Sequence, residues 1–359
     1  MPRLTRRKVT QRARHIVYTC KYGTVNMSAG SNSLAIRIIV GILVSLVLGW
    51  LTSRGLNWHE VWNAVTDLPP HVVALALLVF LLSNLTRACR WRLLFFEERI
   101  SLLRLFMVEN IGLGLNNVLP VRIASEAIQF ALLTLRDGIS RGTALATLGM
   151  TRIMDIWAST LLLAVGLFFV PGAGHLARYA AGGFVFSLLL LAIVRFLAWG
   201  SLGIPLMERF PLLGTFASSV AQLEHRKGRL IASLTVSLAQ WIVLGFSGWI
   251  VAIGMDIPLS LPQAVLVILA TIFVATSIPA VPGAIGTFEA AAVYTMGIFD
   301  VDKTHAFSYA IVMHALLFLP STLLAAFFLP REGLGSLREM RRRAQAWTYN
   351  QTTDPESKR

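Results

Sequence analysis

Long apolar runs separated by short polar segments dominate the chain between residues 34 and 330. Six of them carry few charges and approach or exceed the roughly 20 residues that a helix needs to cross about 30 Å of hydrocarbon. These runs are 34–52, 72–85, 143–170, 179–197, 230–253 and 306–329. Because they lack the alternation of membrane barrel strands, the pattern predicts an all-α polytopic integral membrane protein with about six full transmembrane helices.

Two further apolar segments, 105–135 and 262–299, are broken by proline and glycine. The two halves of the first, 105–119 and 123–135, have 15 and 13 residues. At about 1.5 Å per residue, each helix would reach only about 20–22 Å. Since such helices are too short to cross, we predict that each broken segment is a re-entrant helical hairpin, entering and leaving the membrane on one side.

The two predicted hairpins share a pattern at their breaks. In each, an apolar helix ends near a proline, Pro120 or Pro282, and a short helix follows with Glu126 or Glu289 in its first two turns. The loop charges place the first hairpin on the cytoplasmic side and the second on the outer side. Two similar broken elements inserted from opposite faces indicate an inverted repeat, as in transporters. The alternative is that proline and glycine only kink ordinary spans.

Positive charge is concentrated in the tails and in one set of loops, within a net charge of +14. Because lysine and arginine favour cytoplasmic loops, both termini are predicted to be cytoplasmic. We divide the chain into a basic tail 1–33, a transmembrane domain 34–330 and a basic tail 331–359. The first tail is expected to be either disordered or an upstream extension of a chain that starts at Met27. Nucleic acid is not an expected partner beside membrane spans.

Ionisable residues also occur within the predicted spans. Arg122 and Glu126 are four residues apart and share a helix face, as do Arg152 and Asp155, three apart. Intramembrane charges usually pair, face the interior and mark the path of a substrate or proton. The alternative is that each pair only fixes helix packing. His314, in the last span, is expected to be a packing or hydrogen-bonding residue.

An arginine cluster, Arg87, Arg90 and Arg92, follows the second span. The preference of arginine for the cytoplasmic side explains it, but the spacing also places guanidinium groups level with lipid head-group phosphates. No DxD carboxylate pair, Ser–His–Asp order or glycine-rich phosphate loop is recognised, and the two cysteines lack metal-ligand spacing. The sequence therefore predicts no catalytic residue, metal or cofactor, and no enzyme.

Four motifs occur in the order "LTRACRWRLLF", "NNVLPVRIASEAIQFALL", "TRIMD" and "SIPAVPGAIGTFEAAAVY". Together they resemble the flippase-like family named for the transmembrane region of lysylphosphatidylglycerol synthase, over roughly residues 34–330. The resemblance implies a multi-pass protein of a bacterial or archaeal inner membrane that handles lipids, with re-entrant helices framing the lipid path.

The resemblance also implies which residues line that path. They are Arg87, Arg90, Asn117, Pro120, Arg122, Glu126, Arg152, Asp155, Pro279, Pro282, Gly283, Gly286 and Glu289. Three positions depart from the family pattern. Ser125 stands where glycine is usual, Thr151 where glutamate is frequent, and Ala284 where a second glycine is common.

The leading functional expectation is a lipid flippase that moves a membrane phospholipid or a lipid-linked intermediate between leaflets. Two alternatives stay open. One is a membrane transferase acting on a polyprenyl phosphate, and the other is a non-transporting subunit of a lipid-synthesis pathway. A homo-oligomer and association with lipid-synthesis enzymes also stay open.

The loop charges make a topology prediction. Cysteines replacing Thr66 and Thr304 should react with an impermeant thiol reagent from outside intact cells, whereas one replacing Ser218 should react only after the membrane is opened. Labelling of the Ser218 variant in intact cells would contradict both the loop assignment and the inverted repeat.

Overall fold

The computed structural model of the protein describes residues 27–95, 98–119, 122–168, 177–199, 227–277 and 281–332. Every regular element in these ranges is helical, which confirms the all-α prediction. The α-helices are α1 (Met27–Ser53), α2 (Trp58–Thr66), α3 (Pro70–Leu93), α4 (Leu102–Val118), α5 (Arg122–Ala131), α6 (Arg141–Phe168), α7 (Ala177–Trp199), α8 (Lys227–Gly254), α9 (Leu261–Ser277), α10 (Thr287–Gly297) and α11 (Lys303–Phe328). A π-helical turn (Leu132–Arg136) extends α5, and short 3₁₀ turns occupy Pro282–Ala284 and Leu329–Glu332.

Four of these helices are long and apolar enough to cross a membrane: α3, α6, α8, and α11 with the turn that follows it. A fifth crossing results if Ile39–Ser53 and Trp58–Thr66, which meet at 93°, count as one broken span. The described residues therefore support a multi-pass membrane protein with four to five candidate spans. The number of six stays a prediction.

The predicted loop between the first two spans contains a helix, α2, that the apolar pattern missed because it is only 9 residues long. Its N-cap is Asn57, whose side-chain oxygen accepts from the backbone N–H groups of His59 and Glu60.

A lysine links the first and last described α-helices. The Lys303 ammonium donates to the carbonyl oxygens of Leu51 (3.3 Å) and Arg54 (2.7 Å). The end of α1 is thus tied to the start of α11.

The helices pack through close contacts at small residues. The most extensive helix–helix contacts are those of α3 with α8 and of α4 with α11. At the second crossing, a Cβ added to Gly114 would lie 2.3 Å from the Ser321 carbonyl oxygen. Similarly, a Cβ on Gly245 would lie 2.6 Å from the Cα of Val265, where α8 meets α9. Small residues let helix backbones approach in this way, which is how membrane helices gain packing energy.

Both segments with predicted hairpins form a helix, a break and a second helix. The breaks lie side by side, because the turn Pro282–Ala284 packs on the end of α4 and a Cβ on Gly283 would lie 3.5 Å from the Asn117 carbonyl oxygen. Helix α1 covers α10 on another side. Whether either segment re-enters the membrane face from which it came stays a prediction.

The α4–α11 crossing can be tested with a pair of glycine substitutions. Gly114→Ala should lower the thermal unfolding midpoint of the protein in detergent, because overpacking of this kind costs about 1–3 kcal/mol. Gly182→Ala, on α7 with nothing within 4 Å of the added methyl, should leave the midpoint unchanged or raise it, since helical glycine costs roughly 0.5–1 kcal/mol relative to alanine. Equal midpoints would contradict the close crossing.

Candidate functional site

A cluster of buried ion pairs joins α3, α4 and α6. Arg87 and Arg90 lie three residues apart on one face of α3. The Nε of Arg87 donates to Glu109 Oε1 (2.9 Å), and its Nη2 donates to Asp155 Oδ2 (3.4 Å). Arg90 donates to both carboxylate oxygens of Asp155. Only 9% of Arg87 and 1% of Arg90 is exposed. We call these four residues the buried charge cluster.

The buried charge cluster is balanced, with two guanidinium groups and two carboxylates. Such balance is required because an unpaired charge in a low-dielectric interior costs several kcal/mol. Burial bears on one hypothesis from the sequence. Arg87 and Arg90 point into the protein interior, whereas Arg92 is exposed. The level of these guanidinium groups relative to lipid head groups stays a prediction.

A second ion pair lies at the edge of this cluster. The Nε of Arg152 is 3.0 Å from Glu126 Oε1, and both side chains are partly exposed, at 40% and 44%. Arg152 is also 3.9 Å from Asp155, whose nearer partners are Arg90 and Arg87. The predicted pair of Arg152 with Asp155 is therefore present, but the nearer partners of Asp155 lie across helices, and Glu126 contacts Arg152 on another helix. The predicted Arg122–Glu126 pair stays a prediction. The side chain of Arg122 lies outside the described residues.

Several polar residues of the interior were missed by sequence reasoning. Glu109 is one, and Asn84, Asn110 and Ser321 form another group. Asn84 donates to the Asn110 side-chain oxygen (2.9 Å), as does the Ser321 hydroxyl (3.3 Å). A signal was present, since Glu109 and Asn110 interrupt an apolar run, and intramembrane ionisable residues usually have an interior partner.

The break between α9 and α10 has an unusual backbone. We call its described residues, 281–286, the tip. Gly283, Ala284 and Gly286 have φ values of 79°, 56° and 83°, in the left-handed region. For Ala284 this conformation costs roughly 1–2 kcal/mol, which glycine would avoid. The geometry thus gives a physical reason to expect glycine, and not alanine, at position 284.

Helix α1 packs directly on the tip. The Val281 N–H donates to the Ser45 hydroxyl oxygen (3.1 Å). A Cβ on Gly286 would lie 2.4 Å from the Ser45 carbonyl oxygen and 3.3 Å from the Gly49 nitrogen. Glycine at 286 is therefore required both by its φ and by the approach of α1, so a larger residue there would displace α1.

Glu289 and His314 hold the tip from its other side. Glu289 Oε2 accepts from the Gly286 N–H (2.7 Å), and its Oε1 lies 2.5 Å from His314 Nδ1. The Nε2 of His314 is 2.8 Å from the Gly283 carbonyl oxygen. The rings of Phe288 and Phe318 pack on the imidazole, with centroid distances of 4.7 and 4.2 Å. The expectation that His314 is a hydrogen-bonding residue is confirmed.

The end of α4 meets the tip through Asn117. Its side-chain amide donates to the Phe318 carbonyl oxygen (3.1 Å) and to the Thr322 hydroxyl (3.0 Å), both on α11. Of the other predicted residues, Pro282 begins the short turn of the tip. Pro120 and Pro279 lie outside the described residues.

The structure brings the described members of the predicted set into two groups. Arg87, Arg90, Glu126, Arg152 and Asp155 belong to the buried charge cluster and its edge. The second group, at the tip, consists of Asn117, Pro282, Gly283, Gly286 and Glu289. Their role along a lipid path stays a prediction.

These features define a helical, multi-pass membrane protein with a polar interior and adjoining broken helices. The sequence model of one protein family, described as the lysylphosphatidylglycerol synthase TM region, matches residues 38–325. The chain belongs to this family, which confirms the resemblance seen in the motifs. The family associates it with lipid modification or transport. A comparison with curated proteins found no match.

Removing one carboxylate tests the buried charge cluster. Asp155→Asn should lower the thermal unfolding midpoint strongly, because breaking a buried ion pair leaves an uncompensated charge and costs about 3–5 kcal/mol. The matched variant Glu126→Gln breaks a partly exposed pair and should cost only about 0–1 kcal/mol. If the two variants unfold at the same temperature in detergent, the cluster does not stabilise the fold as argued.

Proposed function

We propose that the protein is a lipid flippase that moves a phospholipid or a lipid-linked intermediate between the leaflets of a bacterial or archaeal inner membrane. The observation that carries the proposal is the contact between the two broken segments, at Asn117 and the tip. The lipid head group would pass through the polar region beside these breaks while the acyl chains stay in the bilayer.

The chemistry of the tip supports this path. Irregular backbone at membrane depth is tolerated where protein or a water-filled cavity satisfies its polar groups. Transporters use such discontinuous helices to bind polar substrates near the bilayer centre. Here the tip is flanked by the backbone carbonyl of Asn117, the carboxylate of Glu289 and the imidazole of His314. These groups can replace the water around a head group.

The two ion-pair regions suit different tasks. The buried charge cluster is closed to large ligands because its arginines are nearly fully buried. It is proposed to hold α3, α4 and α6 in register. The partly exposed Arg152–Glu126 pair is open to exchange. A head-group phosphate can replace Glu126 as the partner of Arg152 and can bind its guanidinium group through two oxygens.

The proposal includes no catalytic step, metal or cofactor, so the lipid leaves chemically unchanged. The proposed partner is the lipid itself, and both termini are proposed to be cytoplasmic.

A fluorescent-lipid assay tests this function. Purified protein is placed in vesicles containing phosphatidylglycerol with a nitrobenzoxadiazole label, and dithionite then bleaches the label exposed on the outer leaflet. The parent protein should raise the bleached fraction from about half toward completion. Glu289→Ala and Arg122→Ala should abolish this rise while remaining inserted and monodisperse.

Asp67→Ala removes an exposed carboxylate at the end of α2 and should transport like the parent. Lipids that copurify with the protein, identified by mass spectrometry, supply further labelled probes. Absence of translocation for all of these lipids would contradict the proposal. If Glu289→Ala or Arg122→Ala instead aggregates, the replaced residue has a structural role.

A further inference from the structure

The imidazole of His314 faces an oxygen at each of its two nitrogens. Nδ1 lies 2.5 Å from Glu289 Oε1, and Nε2 lies 2.8 Å from the Gly283 carbonyl oxygen. A carbonyl oxygen can only accept a hydrogen bond. The Nε2 atom must therefore carry a proton for the contact with Gly283 to be favourable.

The contact with Glu289 then needs a second proton. Either Nδ1 is also protonated and donates to the carboxylate, or a protonated Glu289 donates to a neutral Nδ1. Both arrangements contain one proton more than a neutral imidazole beside a carboxylate. Without that proton, one of the two contacts places a nitrogen lone pair against an oxygen lone pair.

We propose that Glu289 and His314 form a binding site for one exchangeable proton, which holds the tip closed. With the proton bound, His314 donates to Gly283 and shares a hydrogen bond with Glu289. When the proton leaves, the imidazole keeps a single N–H and one of the two contacts is lost. Since Glu289 also accepts from the Gly286 N–H, both ends of the turn depend on this site.

Among the described side chains, no other ionisable group contacts Glu289 or His314. The elements packed on it are α1, α4, α9, α10 and α11. Toward the tip α1 presents Ser45 and Gly49, and α4 presents Asn117. No ionisable residue occurs in α9.

The other described titratable or charged side chains on these elements are exposed, buried or bonded to other groups. Tyr294 on α10 is 72% exposed. On α4, Arg104 pairs with Asp137 and Glu332, and Glu109 pairs with Arg87. On α11, Lys303 bonds to carbonyls at the end of α1, His305 pairs with Asp302, and the Tyr309 hydroxyl is buried.

This inference deepens the proposed function and rests on it, because it assigns a proton to the site that holds the tip, beside which the lipid head group is proposed to pass. It can nevertheless be tested without lipid movement. In a Cys20→Ser, Cys89→Ser background, Thr287→Cys places a thiol at a position that is 1% exposed beside the tip. Its reaction with a water-soluble methanethiosulfonate reagent reports opening. Thr66→Cys, at an exposed position of α2, corrects for the reactivity of the thiol itself.

In the parent, the ratio of the Thr287→Cys to the Thr66→Cys labelling rate should rise about tenfold between about pH 5.5 and about pH 8.5, as the proton is lost. Glu289→Gln should label slowly at both pH values, because its amide can donate to Nδ1 and accept from Gly286. His314→Leu should label rapidly at both, because it makes neither bond. His305→Leu, which removes an exposed histidine of the same helix, should respond like the parent.

A pH-independent ratio in the parent would overturn the proposal, as would a pH response that survives in Glu289→Gln. The test does not depend on whether His314→Leu folds, because Glu289→Gln removes the same proton site and is expected to change the labelling rate in the opposite direction. If the labelling responds to pH but the fluorescent lipid does not move, the proton site stands and the proposed flippase activity fails. If lipid moves without this response, only the proton site is lost.

Discussion

Pairing of charge inside an apolar bundle is the constraint on which the arrangement of helices depends. A guanidinium as buried as that of Arg90 is tolerable only with carboxylates at hydrogen-bonding distance. Asp155 on α6 meets this need, while Glu109 on α4 compensates Arg87. Because a slide of one residue along any of these helices would separate the partners, the cluster fixes the register of three helices at once. The apolar contacts around the cluster are not directional, so they do not determine the helix register in the same way.

Beside this region, the tip is held by single hydrogen bonds from different helices. It contains residues with left-handed φ values, including the strained Ala284. Among the described residues, it bonds to α1 through Ser45 and to α11 through His314. Such segments come from the low-stability end of a structure and are where conformational change is least costly. The molecule thus combines a rigid ionic centre with a strained turn at the junction of its broken helices. This combination suits a protein that must open a polar path without losing its fold.

The helical organisation was predictable because hydrophobicity along the chain records it directly. The run 143–170 became Arg141–Phe168, and the segment 105–135 became two helices with a break near Pro120. Partners across helices were not predictable, since spacing rules describe only neighbours on one helix. Arg90 and Asp155 are 65 residues apart, and Arg87 and Glu109 are 22 apart. His314 was placed correctly as a hydrogen-bonding residue, but its bond to the Gly283 carbonyl depends on how the tip folds.

The contact of α1 with the tip has a mechanical consequence. One end of α1 is fastened to the start of α11 by Lys303, and Ser45, further along, rests on the tip. The helix is therefore held at two points, at its C-terminal end and at Ser45. Gly49 lies between these two points, and a glycine in a helix interior destabilises the helix there. A displacement of α1 at Ser45 would therefore also displace Val281 and Gly286, because Ser45 contacts both of them directly.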